Sequence, residues 1–366
     1  MQQTNWYTNF GPLLEEYEHD LSIMTGAGER GGNCVALSSG TLALELGITA
    51  IGIPSGTPVL LPSFTFPATI LAVLRCGLLP VLSDVNPSTW TLTPEIATVA
   101  GRYRRFGLIL PVAAFGLPLP VHEWDQFTRE TGVPVLMDAA AALGHQRIGS
   151  LTHAIYSLHA TKPLGIGEGG IFATGDPELA ERVRRMSNFG FNQGEIVCSG
   201  GTNAKLSEYA AAVGLAQLAR WPTILNAFRR VWTLYQVELK GLRGVQYQPF
   251  SPDMPPSVLS VQLPGDSRQH AETLAQAGIE TRHWYLPPLH GHRQFAKVER
   301  SGPCGDDRLP VTDNLTPLGL PFHSFLTEQD IHTVSGALQR LLAGLAGQGV
   351  HTVSGTSQQL LAGQSQ

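Results

Sequence analysis

The chain has 366 residues, a length typical of about two domains, and 43% of them are hydrophobic, which is enough for an ordinary globular core. Charged residues make up only 14%, and 24 Lys and Arg against 29 Asp and Glu leave a formal net charge of −5. This balance argues against a general nucleic-acid or anionic-membrane binder. The four cysteines are widely spaced, and the sequence shows neither a signal-peptide pattern nor a membrane-spanning apolar run. We therefore expect a soluble cytoplasmic protein.

Short apolar runs alternate with longer helical patterns from about residue 33 to 240. The predicted strands are residues 58–62, 79–84, 107–112 and 133–138, and the predicted helices are residues 66–77, 122–131, 210–220 and 224–242. This alternation predicts βαβ units, and hence a mostly parallel sheet covered by helices on both faces. The predicted fold class is α/β, with a large domain over residues 1–244.

The character of the sequence changes near residue 245. A strand at 258–263, a helix at 270–278, a short strand at 280–282 and a C-terminal helix at 326–345 predict a smaller α+β domain over residues 245–345. The remaining residues, 346–366, repeat part of that last helix, because Ile331–Gly336 recurs as Val350–Gly355. Two copies are too few for a repeat architecture, so we predict a disordered tail that duplicates residues 331–344.

All three candidate sites lie where predicted strands end. Ser38, Ser39, Gly40 and Thr41 join a strand to a helix, and their amides and hydroxyls suit a phosphate, although an ordinary helix cap has the same pattern. Asp138 ends an apolar strand and is followed by four alanines. A buried carboxylate needs a cation, unless it too serves as a helix cap.

The third candidate is Lys162, which lies in a stretch of low charge just before a glycine-rich turn. A desolvated lysine has a lowered pKa and becomes a nucleophile that can form a Schiff base, whereas a surface lysine would be ordinary. A phosphate turn, an acid and a lysine, in this chain order, fit pyridoxal phosphate. The residues alone therefore predict this cofactor.

Long stretches of the chain resemble the DegT/DnrJ/EryC1/StrS sugar aminotransferases. The similarity runs in order from about residue 5 to 330 and includes SSGTLALELGITAIGI, LPSFTFPATILAVLRCGLLPVLSDVNPSTWTLTPE, PVLMDAAAALG, YSLHATKPLGIGEGGIFATGDPELAERVRRMSNFG and GTNAKLSEYAAAVGLAQL. TNFGP, SLHATK and GTNAK look most like the branch that makes 4-amino-4,6-dideoxy sugars on dTDP. The resemblance implies the fold-type I aminotransferase architecture and a homodimer with shared active sites.

The resemblance also implies a role for each matching residue. Lys162 would form the Schiff base and move the proton, and Asp138 would pair with the pyridinium nitrogen. Gly40, Thr41 and Ser157 would hold the phosphate. Phe66 would stack on the cofactor ring, and Asn203 or Lys205 would cross the dimer to the partner's phosphate.

Other positions carry weaker implications. Many family members have Gln three residues after the acid, where this chain has Ala141, so the hydrogen bond to the ring hydroxyl must come from elsewhere. The family position of His159 holds an aromatic residue or histidine, which favours packing beside the cofactor over a general base. Arg282 and Tyr285 lie on a predicted domain-boundary loop that either contacts a nucleotide diphosphate or only packs. We predict no metal site.

The predicted function is transfer of an amino group from L-glutamate to a nucleotide-linked keto-6-deoxy sugar, at C4 of a dTDP-sugar. Dehydratase relatives replace the Schiff-base lysine with histidine, so Lys162 favours transamination. Two alternatives stay open: an aminotransferase for a non-nucleotide ketone or aldehyde, and a non-catalytic regulator that binds pyridoxal phosphate.

Overall fold

The computed structural model describes residues 5–7, 10–191, 197 and 200–347. Within them the helices are α1 (Pro12–Thr25), α2 (Gly40–Ile51), α3 (Pro67–Arg75), α4 (Pro94–Tyr103), α5 (Val121–Thr131), α6 (Pro177–Ser187), α7 (Glu208–Leu239), α8 (Ser267–Gln276), α9 (Pro310–Asn314) and α10 (Glu328–Gly347). The strands are β1 (Asn33–Leu37), β2 (Pro58–Pro62), β3 (Leu79–Ser83), β4 (Leu108–Ile109), β5 (Val135–Asp138), β6 (Thr152–Ser157), β7 (Gly170–Thr174), β8 (Gln246–Tyr247), β9 (Ser260–Gln262), β10 (Glu299–Ser301) and β11 (Leu318–Gly319). No helix of the described residues is long and apolar enough to cross a membrane.

Eight strands form one large sheet in the order β1-β7-β6-β5-β4-β2-β3-β10. Only β7 runs against the others, since it pairs antiparallel with both of its neighbours. The carboxyl ends of the remaining seven strands therefore meet at one edge of the sheet. The predicted α/β class with a mostly parallel sheet is confirmed.

The large sheet is buried on both faces, which explains its nearly continuous apolar strands. In β1, Cys34 and Ala36 pack into the core under α1, α5 and α7, whereas Val35 and Leu37 pack into the core under α2, α3 and α6. Alternate residues of one strand point to opposite faces, so a single run of five residues serves both cores.

A small antiparallel sheet, in the order β11-β9-β8, lies in the C-terminal part of the chain. The second half of α7, with α8 and α10, packs on it in a core that includes Trp232, Tyr235 and Leu338. β10, from the same part of the chain, instead pairs in parallel with β3 at the edge of the large sheet. The boundary at residue 244 stays a prediction.

Several predicted elements differ from the structure. The helices predicted at 210–220 and 224–242 form the single helix α7, with Pro222 inside it. A proline inside a helix costs about 3 kcal/mol. The parts of α7 before and after Pro222 are each held by packing, since Trp221 packs against the core under α1 and α5 and Trp232 packs into the core of the C-terminal part. The strand predicted at 280–282 is reduced to a single bridge between Arg282 and Gly319, and the strand predicted at 107–112 has only the two residues of β4.

The helix ends predicted elsewhere differ by up to three residues, as is usual for frayed termini. The predicted helix at 270–278 is residues 267–276, and the predicted C-terminal helix at 326–345 is residues 328–347. The tail predicted to be disordered, apart from its first two residues, lies outside the described residues.

Candidate active site

A small cradle lies where β1 leads into α2, at the carboxyl edge of the large sheet. The Ser39 hydroxyl caps α2 by accepting a hydrogen bond from the Leu42 amide at 3.2 Å. The first amides of a helix have no acceptor within it, and those of Gly40 and Thr41, ahead of the capped Leu42 amide, make no hydrogen bond to a described residue and can bind an anion. A Cβ atom on Gly40 would lie 3.1 Å from Cβ of Ser157, so a side chain there would fill the space between α2 and the end of β6.

Asp138 ends β5 beside this cradle, and only 5% of its surface is exposed. Its Oδ2 accepts a hydrogen bond from the Thr69 hydroxyl at 2.8 Å, and its Oδ1 accepts one from the Ala140 amide at 3.2 Å. Burial raises the pKa of the Asp138 carboxyl, while these two donors and the charge of Lys162 oppose that shift. Both hydrogen-bond donors are neutral, so the carboxylate still calls for a nearby cation.

Lys162 lies in the loop between β6 and β7. Its amide donates to the His159 carbonyl at 2.9 Å, and its own carbonyl accepts from the Gly165 amide at 2.9 Å, which closes a compact turn. Burial lowers the pKa of the Lys162 amine, and the charge of Asp138 opposes that shift. The amine and the carboxylate therefore interact across the carboxyl edge of the sheet.

These residues fit pyridoxal phosphate. The close approach of Gly40 to Ser157, with the free Gly40 and Thr41 amides and the Ser157 hydroxyl, suits the phosphate. Asp138 is a buried anion that suits a protonated ring nitrogen, and Lys162 is a partly desolvated amine that suits the aldehyde. The three groups required by the cofactor are thus assembled by one chain.

An aromatic cluster borders the site and joins the large-sheet loops to the C-terminal part of the chain. It consists of Phe64, Trp90, Phe115 and Tyr285. The Tyr285 ring stacks on Phe115 with centroids 4.8 Å apart and meets Phe64 edge-on at 5.3 Å. Trp90, Phe115 and Tyr285 have φ values of 56°, 56° and 62°, which non-glycine residues rarely adopt outside sites where packing imposes them. Burial and the Asp138 charge raise the pKa of Tyr285.

The loop that carries Tyr285 is tied to the end of β2. The Leu289 amide donates to the Ser63 carbonyl at 2.8 Å, and Ser63 Oγ and His290 Nδ1 are hydrogen-bonded at 2.7 Å. His290 Nε2 lies 2.9 Å from an Asp313 carboxylate oxygen. Tyr285 is therefore held over the site by contacts that its own segment could not supply.

Phe66 and Thr69 lie at the start of α3, next to Asp138. Phe66 precedes the helix and is 54% exposed, which leaves its ring free to contact a ligand. Thr69 lies within the first turn of the helix and makes the bond to Asp138. The sequence analysis missed Thr69, although its spacing of three residues from Phe66 places both on one side of the helix start.

The other predicted residues lie on exposed segments. The His159 side chain is 47% exposed, and its Nδ1 is hydrogen-bonded to Thr161 Oγ1 at 2.9 Å. The Arg282 side chain is 63% exposed and pairs with Glu280. The His159 carbonyl accepts the Lys162 amide, but among the described residues neither the His159 side chain nor the Arg282 side chain is hydrogen-bonded to Asp138 or Lys162.

Asn203 and Lys205 lie in an extended segment beside the cradle of their own chain. The Ser38 amide donates to the Ala204 carbonyl at 2.8 Å, and the backbone of Lys205 forms an isolated antiparallel β-bridge with Leu37. Ala204 is buried, whereas Asn203 is exposed and Lys205 is half-buried, so alternate side chains point inward and outward. Lys205 Nζ donates to Asn203 Oδ1 at 2.8 Å, which keeps the two polar groups together on the outer side.

The mostly parallel sheet and the acid–lysine pair at its carboxyl edge fit a pyridoxal-phosphate-dependent enzyme. The model of the DegT/DnrJ/EryC1/StrS aminotransferase family matches residues 1–339, and the chain belongs to that family. This membership confirms the resemblance, the enzyme class and the cofactor predicted from the sequence. The role of each site residue stays a prediction.

Relatives with described activities match over most of their length. The chain is 31% identical over 368 residues to the dTDP-4-dehydro-2,3,6-trideoxy-D-glucose 4-aminotransferase of Saccharopolyspora spinosa, and the match covers 92% of this chain and 91% of that protein. It is 30% identical over 362 residues to the GDP-perosamine synthase of Caulobacter vibrioides, with 93% and 92% covered. The solved structure of DesI with its TDP-sugar product superposes with a TM-score of 0.82 at 30% identity, covering 95% of this chain and 90% of DesI.

Proposed function

We propose that this aminotransferase moves an amino group from L-glutamate to the C4 keto group of a dTDP-linked keto-6-deoxy sugar. The observation that carries the proposal is the placement of Asp138 and Lys162 beside the Gly40–Ser157 cradle, at one edge of a parallel sheet. The named activities of the relatives from Saccharopolyspora spinosa and Caulobacter vibrioides support a nucleotide sugar as the acceptor. The first of these relatives and the TDP-sugar product of DesI favour dTDP over other nucleotides.

The chain's own residues would divide the work. When bound, pyridoxal phosphate supplies an electron sink and carries the amino group between the two substrates. Lys162 would hold the cofactor covalently between turnovers, and its lowered pKa makes the neutral, proton-accepting amine more available at neutral pH. Asp138 would keep the ring nitrogen protonated, because burial makes an unpaired carboxylate costly there.

Cofactor binding would use the surrounding surfaces. Gly40, Thr41 and Ser157 would hold the phosphate at the start of α2, where the helix dipole favours an anion. Phe66 would stack on the ring, and Thr69 would orient Asp138 through its 2.8 Å hydrogen bond.

A second copy of the chain would complete the site. Asn203 and Lys205 present their polar groups outward, and three large aromatic side chains near them are exposed: Phe189 (45%), Phe191 (43%) and Tyr209 (59%). Clustered exposed aromatic residues mark protein-binding surfaces. We therefore place Asn203 and Lys205 at a homodimer interface, facing the partner's phosphate.

The substrate would lie over the exposed side of the cofactor. Tyr285 borders the site from the aromatic cluster, and His159 follows the end of β6 in the loop at residues 158–169 that carries Lys162, called the lysine loop below. Arg282 has an exposed guanidinium that can exchange its Glu280 partner for a diphosphate.

The test separates the two half-reactions. The protein loaded with pyridoxal phosphate is mixed with L-glutamate, and we expect the visible band of the lysine-bound cofactor to disappear as 2-oxoglutarate forms. A dTDP-4-keto-6-deoxyhexose should then restore the band and yield a 4-amino sugar, identified by mass spectrometry and NMR. A glutamate reaction without binding of any nucleotide sugar would favour a non-nucleotide ketone or aldehyde. The absence of both half-reactions would favour the non-catalytic regulator.

A further inference from the structure

Helix α7 is joined to the lysine loop by one side-chain hydrogen bond. Gln217 Nε2 donates to the Gly165 carbonyl at 3.0 Å. The loop from residue 158 to 169 is otherwise closed by its own bonds, such as Ala160 to Gly167 and Ile166 to Leu158. Among the residues that the structure describes, no other side chain from outside β6 and β7 is hydrogen-bonded to this loop.

Gly165 is linked to Lys162 by one backbone hydrogen bond, and Lys162 is linked to His159 by another. The Gly165 amide donates to the Lys162 carbonyl, and the Lys162 amide donates to the His159 carbonyl, both at 2.9 Å. A Cβ atom on Gly165 would lie 2.6 Å from the His159 oxygen and 2.8 Å from the Ala160 oxygen. The turn is so tight that a shift of the Gly165 peptide would move Lys162 with it.

The same face of α7 contacts the loop that follows Asp138. Trp221 lies one helical turn after Gln217, and a Cβ atom on Gly144 would lie 2.4 Å from its ring. Trp221 also lines a small cavity of about 10 Å³ together with Pro163 and Ala141. The helix α7 thus contacts both the loop that carries Lys162 and the loop that follows Asp138. It therefore fixes the positions of these two loops relative to each other.

We infer that Gln217 is a positioning residue that sets the reach of the Lys162 amine toward the cofactor and the substrate. An amide suits this place, because it donates a hydrogen bond without adding a charge beside Lys162, whose charged partner is Asp138. Reaction rates fall steeply when a reacting group is misplaced by about 1 Å, by roughly 10²-fold in unfavourable cases. The inference rests on the proposed function, since it assigns Lys162 to the reaction.

The test uses the full-length protein loaded with pyridoxal phosphate. Gln217→Met keeps the length of the side chain but removes the donor, and Gln217→Glu puts a carboxylate against the Gly165 carbonyl. Gln236→Met is the matched control, because Gln236 lies on the same helix and its side chain makes no hydrogen bond to a described residue. The readouts are the pH midpoint of the visible band of the lysine-bound cofactor, kcat and KM for both substrates, and the thermal midpoint.

We expect Gln217→Met to move the pH midpoint by about half a unit or more, and to lower kcat about tenfold with little change in KM. Gln217→Glu should have the larger effect, and Gln236→Met should match the wild type. The inference is overturned if Gln217→Met titrates and turns over like Gln236→Met, or if only its thermal midpoint falls, since that would be a structural tie alone. A wild type without amino transfer would instead contradict the proposed function, while the pH midpoints would still test the position of Lys162.

Discussion

The residues predicted for the site lie in two regions with opposite surroundings. In the buried centre, Asp138 is bonded to Thr69 from another element, and Lys162 interacts with Asp138 across the sheet edge. On the exposed rim, Arg282 pairs with Glu280 and Lys205 with Asn203, each only two residues away. The groups of the centre come from distant parts of one chain, whereas the rim side chains pair with exposed neighbours, which for Lys205 also include the Phe189 ring at 4.6 Å. Changes in the centre should therefore alter the chemistry, and changes on the rim should alter the binding of ligands or of a second chain.

Removing the central amine should have the largest effect. Lys162→Ala should lower turnover by roughly 10³-fold or more, because no other described amine is held beside Asp138. The measurements are steady-state turnover and the visible absorption of the lysine-bound cofactor, which should be lost. Lys240→Ala, at an exposed position after α7, is the control and should behave like the wild type. A normal band in Lys162→Ala would show that the lysine is wrongly assigned.

Neutralising the central acid should come next. Asp138→Asn keeps the size of the side chain but removes the charge that pairs with the ring nitrogen, and kcat/KM should fall roughly 10²- to 10³-fold. The loss should appear with both the amino donor and the keto acceptor, because the same ring serves both. Activity within a few-fold of the wild type would remove Asp138 from the centre.

Removing the donor behind the acid should have an intermediate effect that depends on pH. Thr69→Val deletes the 2.8 Å bond to Asp138, which opposes the rise in its pKa, so the pKa should rise further. The ionised form is the one that pairs with the ring nitrogen, so activity falls as the pH drops through this pKa. The acidic limb of the kcat/KM profile should move to higher pH. At pH values below the shifted pKa, kcat/KM of Thr69→Val should be about tenfold lower than that of the wild type.

Thr98→Val is the matched control for that experiment. The Thr98 hydroxyl donates to the Pro94 carbonyl on α4, away from the site. Its pH profile should coincide with that of the wild type. An unmoved acidic limb in Thr69→Val would mean that the hydroxyl does not tune the carboxylate.

Changes on the rim should be smallest and should spare the chemistry. Asn203→Ala or Lys205→Ala should weaken cofactor binding about tenfold, while kcat at saturating cofactor stays within about twofold. Titration of each variant with pyridoxal phosphate would show which residue reaches the phosphate. If neither variant binds the cofactor more weakly, the segment does not face a phosphate, and the contrast between centre and rim would need another explanation.

The parts of the site that lie at strand ends were open to prediction from the sequence. Gly40, Asp138 and Lys162 each follow an apolar run, and parallel strands bring their carboxyl ends to one edge. Thr69 and Gln217 were not open to it, because they lie 69 and 52 residues from the groups they contact. In the linear sequence, Thr69 is one more hydroxyl near a helix start, and Gln217 is one more polar residue in an alanine-rich helix.

The same division holds for the fold. Local apolar periodicity was enough to indicate the α/β class, and the residue types at the strand ends were enough to indicate the candidate cofactor groups, because each depends on neighbours along the chain. The continuity of α7 across Pro222 and the pairing of β10 with β3 depended on the folded arrangement. So did the stacking of Tyr285 on Phe115, since a contact between distant segments is set by how whole elements pack rather than by either segment alone.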